Sequence, residues 1–143
     1  TSESCHGVLI GGALTGVPGS SAVVEGGIIS YSNDVKMNVL GVSAADLERV
    51  GAVSSEVAAS MAEGSLRVSD IAVAVTGIAG PGGAVPGKPV GTVWFGLATK
   101  NYTKTFVRHF DGNRNAVRSA TVDFAIELFA YALDEKQPEP VSD

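Results

Sequence analysis

The sequence predicts an α/β domain, a three-layer α/β/α sandwich around a mixed sheet. Three observations carry this. The hydrophobic period switches repeatedly between helix-like and strand-like along the chain. One segment, IAVAVT at 71–76, is apolar throughout, as a strand with helices over its faces requires. Two later segments alternate and are joined by a short turn, as in a hairpin at the antiparallel side of such a sheet.

Taken in order, residues 5–14 (CHGVLIGGAL) read as a small-residue helix ended by the turn at 16–19. Residues 27–31 (GIISY) read as a buried strand. Asn33 is an N-cap for a short helix through Leu40, with Gly41 as its stop. Ser43 with Asp46 resembles a capping box, and Ser54 or Ser55 caps a longer helix on which Val57, Ala58, Met61, Ala62 and Leu66 recur at helical spacing. After the strand at 71–76, GTVWFGLA (91–98) and TKTFVRHF (103–110) form the hairpin around Asn101. Asn113 or Asn115 opens a long amphipathic helix to about Leu133. Residues 1–135 thus make one domain, and 136–143, with Pro138 and Pro140, read as a flexible tail.

Composition narrows the function. Ten Lys and Arg against fifteen Asp and Glu leave a net charge of −5 with no basic stripe, which argues against nucleic acid as a partner. No stretch is long and apolar enough to span a membrane, and no secretory leader is visible. Cys5 is the single cysteine, so no intrachain disulfide is possible, consistent with a cytoplasmic setting.

The least regular stretch is TGIAGPGGAVPGKPVG, residues 76–91. It is not a phosphate loop, because Gly87-Lys88 runs into Pro89 instead of a Ser or Thr opening a helix. A dinucleotide fingerprint fails as well, since Pro81, Pro86 and Pro89 forbid the receiving helix. Two readings remain: an irregular loop whose backbone N–H groups and Thr76 hydroxyl cradle an anion or oxyanion, or a surface crossover of glycines.

Lys36 is a solitary cation. At the third position of a helix capped by Asn33, its ammonium opposes the positive end of the helix dipole, which favours the neutral amine and suits a general base. The hydroxyls available to such a base are Ser20 and Ser21, after the Pro18-Gly19 turn; Ser–Lys pairs activate a hydroxyl without His or Asp. The plainer reading is that these serines cap a turn and Lys36 reaches solvent. Cys5 and His6 are adjacent, and adjacent side chains diverge on a helix or strand, so a thiol–imidazole pair is not expected. Nor does spacing gather Glu3, His6 and His109 around a metal. Trp94 and Phe95 read as core and interface.

The blocks TSESCHG, VPGSSAVVEGG, YSNDVKMNVLGV, GAVSSEVAASMAEG, AVTGIAGPGG and KPVGTVWFGLA, in this order, resemble the C-terminal domain of the CinA (competence/damage-inducible protein A) family. The resemblance covers nearly the whole chain. It implies the same three-layer fold, a homodimer or higher homo-oligomer, and hydrolysis of the carboxamide of nicotinamide mononucleotide to nicotinic acid mononucleotide and ammonia, a pyridine-nucleotide salvage reaction, without metal or other cofactor. By motif it implies Ser21 as nucleophile, Lys36 as base and Tyr31 beside them. Ser4, Thr76, Gly77 and Gly80 are then in the pocket, and Arg114 and Arg118 at the phosphate. The usual block A-E-S-C-T-G-G reads here Ser2-Glu3-Ser4-Cys5-His6-Gly7-Val8, which puts bulk at His6 and Val8 where a ligand would approach. A second reading follows: a binding or interaction protein that keeps fold and dimer with weakened catalysis. The helix and strand that family members carry before this block are expected to be missing from this chain, and the pyrophosphatase activity of the longer members' N-terminal domain is not expected.

Overall fold

The computed structural model describes residues 1–134, so the tail assigned to 136–143 lies outside the described residues. The elements run β1 (Ser2–Glu3), α1 (Leu9–Thr15), β2 (Ile28–Ile29), α2 (Asn33–Leu40), α3 (Ala44–Arg49), α4 (Ser55–Ser65), β3 (Ile71–Gly77), β4 (Thr92–Thr99), β5 (Thr103–His109) and α5 (Arg114–Leu133). They form one five-stranded sheet of order β2-β1-β3-β4-β5. β1 is parallel to both β2 and β3, and β3-β4-β5 is an antiparallel meander, so the sheet is mixed.

Alternation along β3 separates the two helical layers. Val73 and Val75 pack with Ile10 of α1 and Val117, Ala125 and Leu128 of α5 on one face. Ala74 and Ala98 pack with Leu40, Val57, Met61 and Ala62 of α2 and α4 on the other. Phe95 is fully buried in the first layer, with its ring edge-on to Phe110 and Phe124; Trp94 is half-buried. Gly96 is required by the second layer, because a Cβ there would collide with the Ala58 carbonyl of α4. No helix among the described residues is long and apolar enough to cross a membrane.

Several local expectations are corrected. The first helix begins at Leu9, because Cys5–Val8 form a turn with Gly7 at φ +59° and i→i−3 bonds (Gly7 N to Ser4 O, Leu9 N to His6 O) that cannot continue as an α-helix. β1 was not anticipated: two polar residues give no strand signal, yet they pair on both sides in the interior. The strand expected over 27–31 shortens to Ile28–Ile29 as the chain bends towards α2. The cap of α2 is Ser32, whose hydroxyl accepts the Val35 N–H, so Asn33 is the first helical residue and Lys36 the fourth.

Strand direction locates the site. β1, β2 and β3 are parallel, and two antiparallel steps make β5 parallel to β3. The residues following these four strands therefore emerge at one edge of the sheet: Ser4, Ser30 and Tyr31, the 78–91 loop, and the start of α5 with Arg114. The carboxyl ends of parallel strands, where connections diverge to either face, are the usual place for a ligand in α/β sheets.

Candidate active site

Ser4 is the first residue past β1 and is 9% exposed; Lys36 comes from α2 and is 1% exposed. The Lys36 Nζ lies 3.0 Å from Ser4 Oγ, 2.7 Å from the Ser30 carbonyl oxygen and 3.3 Å from the Tyr31 carbonyl oxygen. Two of these partners are carbonyls, which can only accept. A neutral amine has two hydrogens and one lone pair, so donation to Ser30 and Tyr31 leaves the lone pair for the Ser4 hydroxyl. Burial pushes the Lys36 pKa below the ordinary lysine range, favouring this neutral form.

The partner of Lys36 is thus Ser4, and the pairing expected with Ser21 is corrected. Ser21 lies in an exposed 3-10 turn, Ser20–Ala22, after α1. α1 starts beside Ser4 and carries the chain away by about 10 Å over its seven residues, towards the opposite edge of the sheet. There Ala22, Val23 and Val24 line a cavity of about 370 Å³ together with Thr1, Ile71 and Phe129, at the beginnings of the parallel strands and remote from Lys36. Tyr31 is 67% exposed at the rim, and what reaches Lys36 is its backbone carbonyl.

The remaining predicted residues divide. Thr76 is buried and donates its hydroxyl to the Ala52 carbonyl (2.8 Å), tying β3 to the loop before α4. Gly77 ends the strand, paired opposite Val93, where a Cβ would sit 2.8 Å from the Thr92 carbonyl. Gly80 has φ +86°, and its carbonyl accepts from Arg114 Nη1 (2.9 Å). Arg118 Nη2 donates to the His6 carbonyl (3.3 Å), while its buried Nε has no partner among the described residues. Ion pairs among the described residues involve Arg49 only, so no carboxylate neutralises Arg114 or Arg118. Both guanidiniums start from the first turns of α5 and meet the turn after β1 and the loop after β3.

Cys5 and His6 contradict the expectation of divergence. In the turn between β1 and α1, Cys5 Sγ sits 3.0 Å from His6 Nδ1. The pair is not an activated thiolate: burial raises the Cys5 pKa to about 11, and burial, helped by Arg118 and Arg114, lowers that of His6 to about 4. Both groups are neutral near pH 7. The bulk expected to obstruct a ligand is also placed otherwise, since His6 is fully buried beneath the turn and the Val8 side chain is 60% exposed. No group of His, Cys, Asp and Glu suited to hold a metal lies together among the described residues.

Comparison with known proteins agrees with this architecture. The profile of the CinA C-terminal domain matches residues 1–133. A putative competence-damage inducible protein of Caldicellulosiruptor saccharolyticus is 49% identical over 128 residues, 88% of this chain and 31% of the relative. A CinA-like protein of Mycolicibacterium gilvum is 48% identical over 136 residues, 93% of this chain and 32% of the relative. The chain spans about a third of the length of these curated relatives. Among solved structures, the competence/damage inducible protein CihA of Agrobacterium tumefaciens superposes with a TM-score of 0.87 at 46% identity, over 91% of this chain and 81% of that one. A CinA superfamily protein of Escherichia coli gives 0.86 at 37%, over 90% and 76%.

Proposed function

Because this chain belongs to the CinA C-terminal domain family, we propose that it is an amidohydrolase that deamidates nicotinamide mononucleotide with Ser4 as nucleophile and Lys36 as general base. The observation that carries this is the buried Lys36 Nζ held 3.0 Å from Ser4 Oγ by two carbonyls.

The chemistry follows from that arrangement. Ser4 Oγ attacks the carboxamide carbon as its proton passes to the Lys36 amine. The resulting ammonium is stabilised in place, since the Ser30 and Tyr31 carbonyls already face it. Collapse of the tetrahedral intermediate breaks the C–N bond, and Lys36 returns the proton to the departing ammonia. Water, deprotonated by the same amine, then attacks the acyl carbon, the bond to Ser4 Oγ breaks as Lys36 returns the proton to that oxygen, and the product leaves as the carboxylate. The loop after β3 is the expected source of N–H groups for the oxyanion, a contribution on the order of 3 kcal/mol per donor. Arg114 and Arg118 supply the cations a mononucleotide phosphate needs on an otherwise anionic chain, with the N-terminal N–H groups of α5 beside them. No step calls for a metal or other cofactor. Pairing of two copies belongs to the same proposal and is read by sedimentation.

The test is ammonia release from nicotinamide mononucleotide by the purified protein, with nicotinamide as the control lacking ribose phosphate. Release from the nucleotide, abolished in Ser4→Ala and retained in Ser21→Ala, is the expected result. Release that survives Ser4→Ala and is lost in Ser21→Ala would return the nucleophile to the exposed turn. Absence of release with calorimetric binding of the nucleotide would favour the binding protein.

A further inference from the structure

Glu3 is a buried carboxylate, 2% exposed, immediately before Ser4. Its Oε1 accepts the Ile10 N–H (2.8 Å), and its Oε2 accepts the Gly11 N–H (2.9 Å) and the Thr1 hydroxyl (3.1 Å). Residue 8, the N-cap of α1, is Val8, which has no side-chain acceptor, so the first turn of α1 is capped by a residue seven and eight positions upstream. These bonds close residues 4–9 into a loop that starts at the Glu3 backbone and is held at its far end by the Glu3 side chain.

The backbone of Glu3 works on the other half of the pair. Its carbonyl accepts the Ser30 N–H at 2.8 Å, with the Ser30 hydroxyl at 3.5 Å. The next carbonyl along, that of Ser30, is the shortest contact of Lys36 Nζ. Glu3 therefore fixes Ser4 through the loop it closes and fixes an acceptor of Lys36 through the strand pairing it completes.

We propose that Glu3 is a positioning residue for the Ser4–Lys36 pair, acting through the α1 cap to hold the nucleophile in register with the amine. This rests on the amidohydrolase reading above. A carboxylate is needed because three donors converge on it. The amide of Gln offers one accepting oxygen, and in either orientation its NH₂ would face a backbone N–H, that of Ile10 or that of Gly11. Displacing a reacting group by about 1 Å can cost on the order of a hundredfold in rate.

The experiment uses Glu3→Gln at a temperature where circular dichroism shows it folded, with two readouts. The first is turnover of nicotinamide mononucleotide. The second is the rate of Ser4 sulfonylation by phenylmethanesulfonyl fluoride, followed by intact mass. In that reaction the Ser4 Oγ–S bond forms, the S–F bond breaks, fluoride leaves and Lys36 takes the proton. The expected result is kcat lowered on the order of a hundredfold with KM unchanged, and a matching fall in labelling rate. Wild-type kcat and labelling in a variant that merely melts earlier would overturn the proposal and reduce Glu3 to a structural cap. Wild-type protein that labels at Ser4 but leaves the nucleotide intact would overturn the substrate reading alone, and the labelling rates would still decide the role of Glu3. Should Glu3→Gln not fold, Glu3→Asp, which keeps the charge and shortens the reach, is put through the same two readouts and decided by the same outcomes.

Discussion

Lys36 Nζ makes no ion pair among the described residues and is held by two carbonyls and a hydroxyl, and its proposed role can be separated from its packing by substitution. Lys36→Met keeps most of the aliphatic stem and removes the amine; kcat is expected to fall at least about a hundredfold with the fold intact by circular dichroism. Lys36→Arg fares no better, because a guanidinium stays protonated and cannot accept the Ser4 proton. The sign of the pH dependence follows. A lysine in the proposed role of base is active when neutral, so kcat/KM is expected to fall as pH drops through its pKa, which burial has moved below the usual range. His6 gives a stability counterpart. It titrates at about 4 when folded and at about 6.5 when unfolded, so between those values the unfolded chain binds the extra proton and stability falls as pH falls. The loss reaches about 3 kcal/mol at pH 4. His6→Thr should remove that part of the slope, read from urea midpoints at pH 7 and pH 5.

At the scale of elements, tight packing of α4 on the sheet and on α2 depends on glycines. Gly96→Ala drives a methyl into the Ala58 carbonyl and Gly64→Ala drives one into the Leu40 carbonyl, so each should destabilise by about 1–3 kcal/mol in urea unfolding, the range for overpacking. The elements with strong signals were legible in the sequence. IAVAVT gave β3, the alternating segments gave β4 and β5, and Asn113, Ser43 and Ser54 each cap the helix they precede. Lys36 was legible as a lone cation in an acidic chain. Its partner was not, because β1 is two polar residues whose strand character comes wholly from neighbours distant in sequence, and no periodicity can report that. Ser20 and Ser21 were attractive for a local reason, hydroxyls after a Pro-Gly turn, and the family resemblance selected Ser21. Only the direction of α1 shows that it lies at the other edge. The Cys5–His6 contact was missed because the rule for adjacent side chains holds on helices and strands, and these two sit on neither.

The whole molecule carries −5 and yet gathers the cations Arg114 and Arg118 at the edge where Lys36 lies. That local reversal of sign should make binding of an anionic nucleotide sensitive to salt. KM is expected to rise with ionic strength while kcat stays nearly constant, and Arg118→Ala should raise KM far more than it lowers kcat and flatten the salt dependence. The two helical layers add a further consequence. Lys36 is delivered by α2 from one face of the sheet, and Arg114 and Arg118 by α5 from the other, with Ser4 at the seam between them. On the proposed mechanism, turnover is a certificate of completed assembly: a chain with either layer undocked would hold only half of the reagents, however native its remaining half. Activity and the native emission of Trp94 should consequently be lost at the same denaturant concentration, and any intermediate that keeps the sheet with a single layer of helices should be silent in the assay.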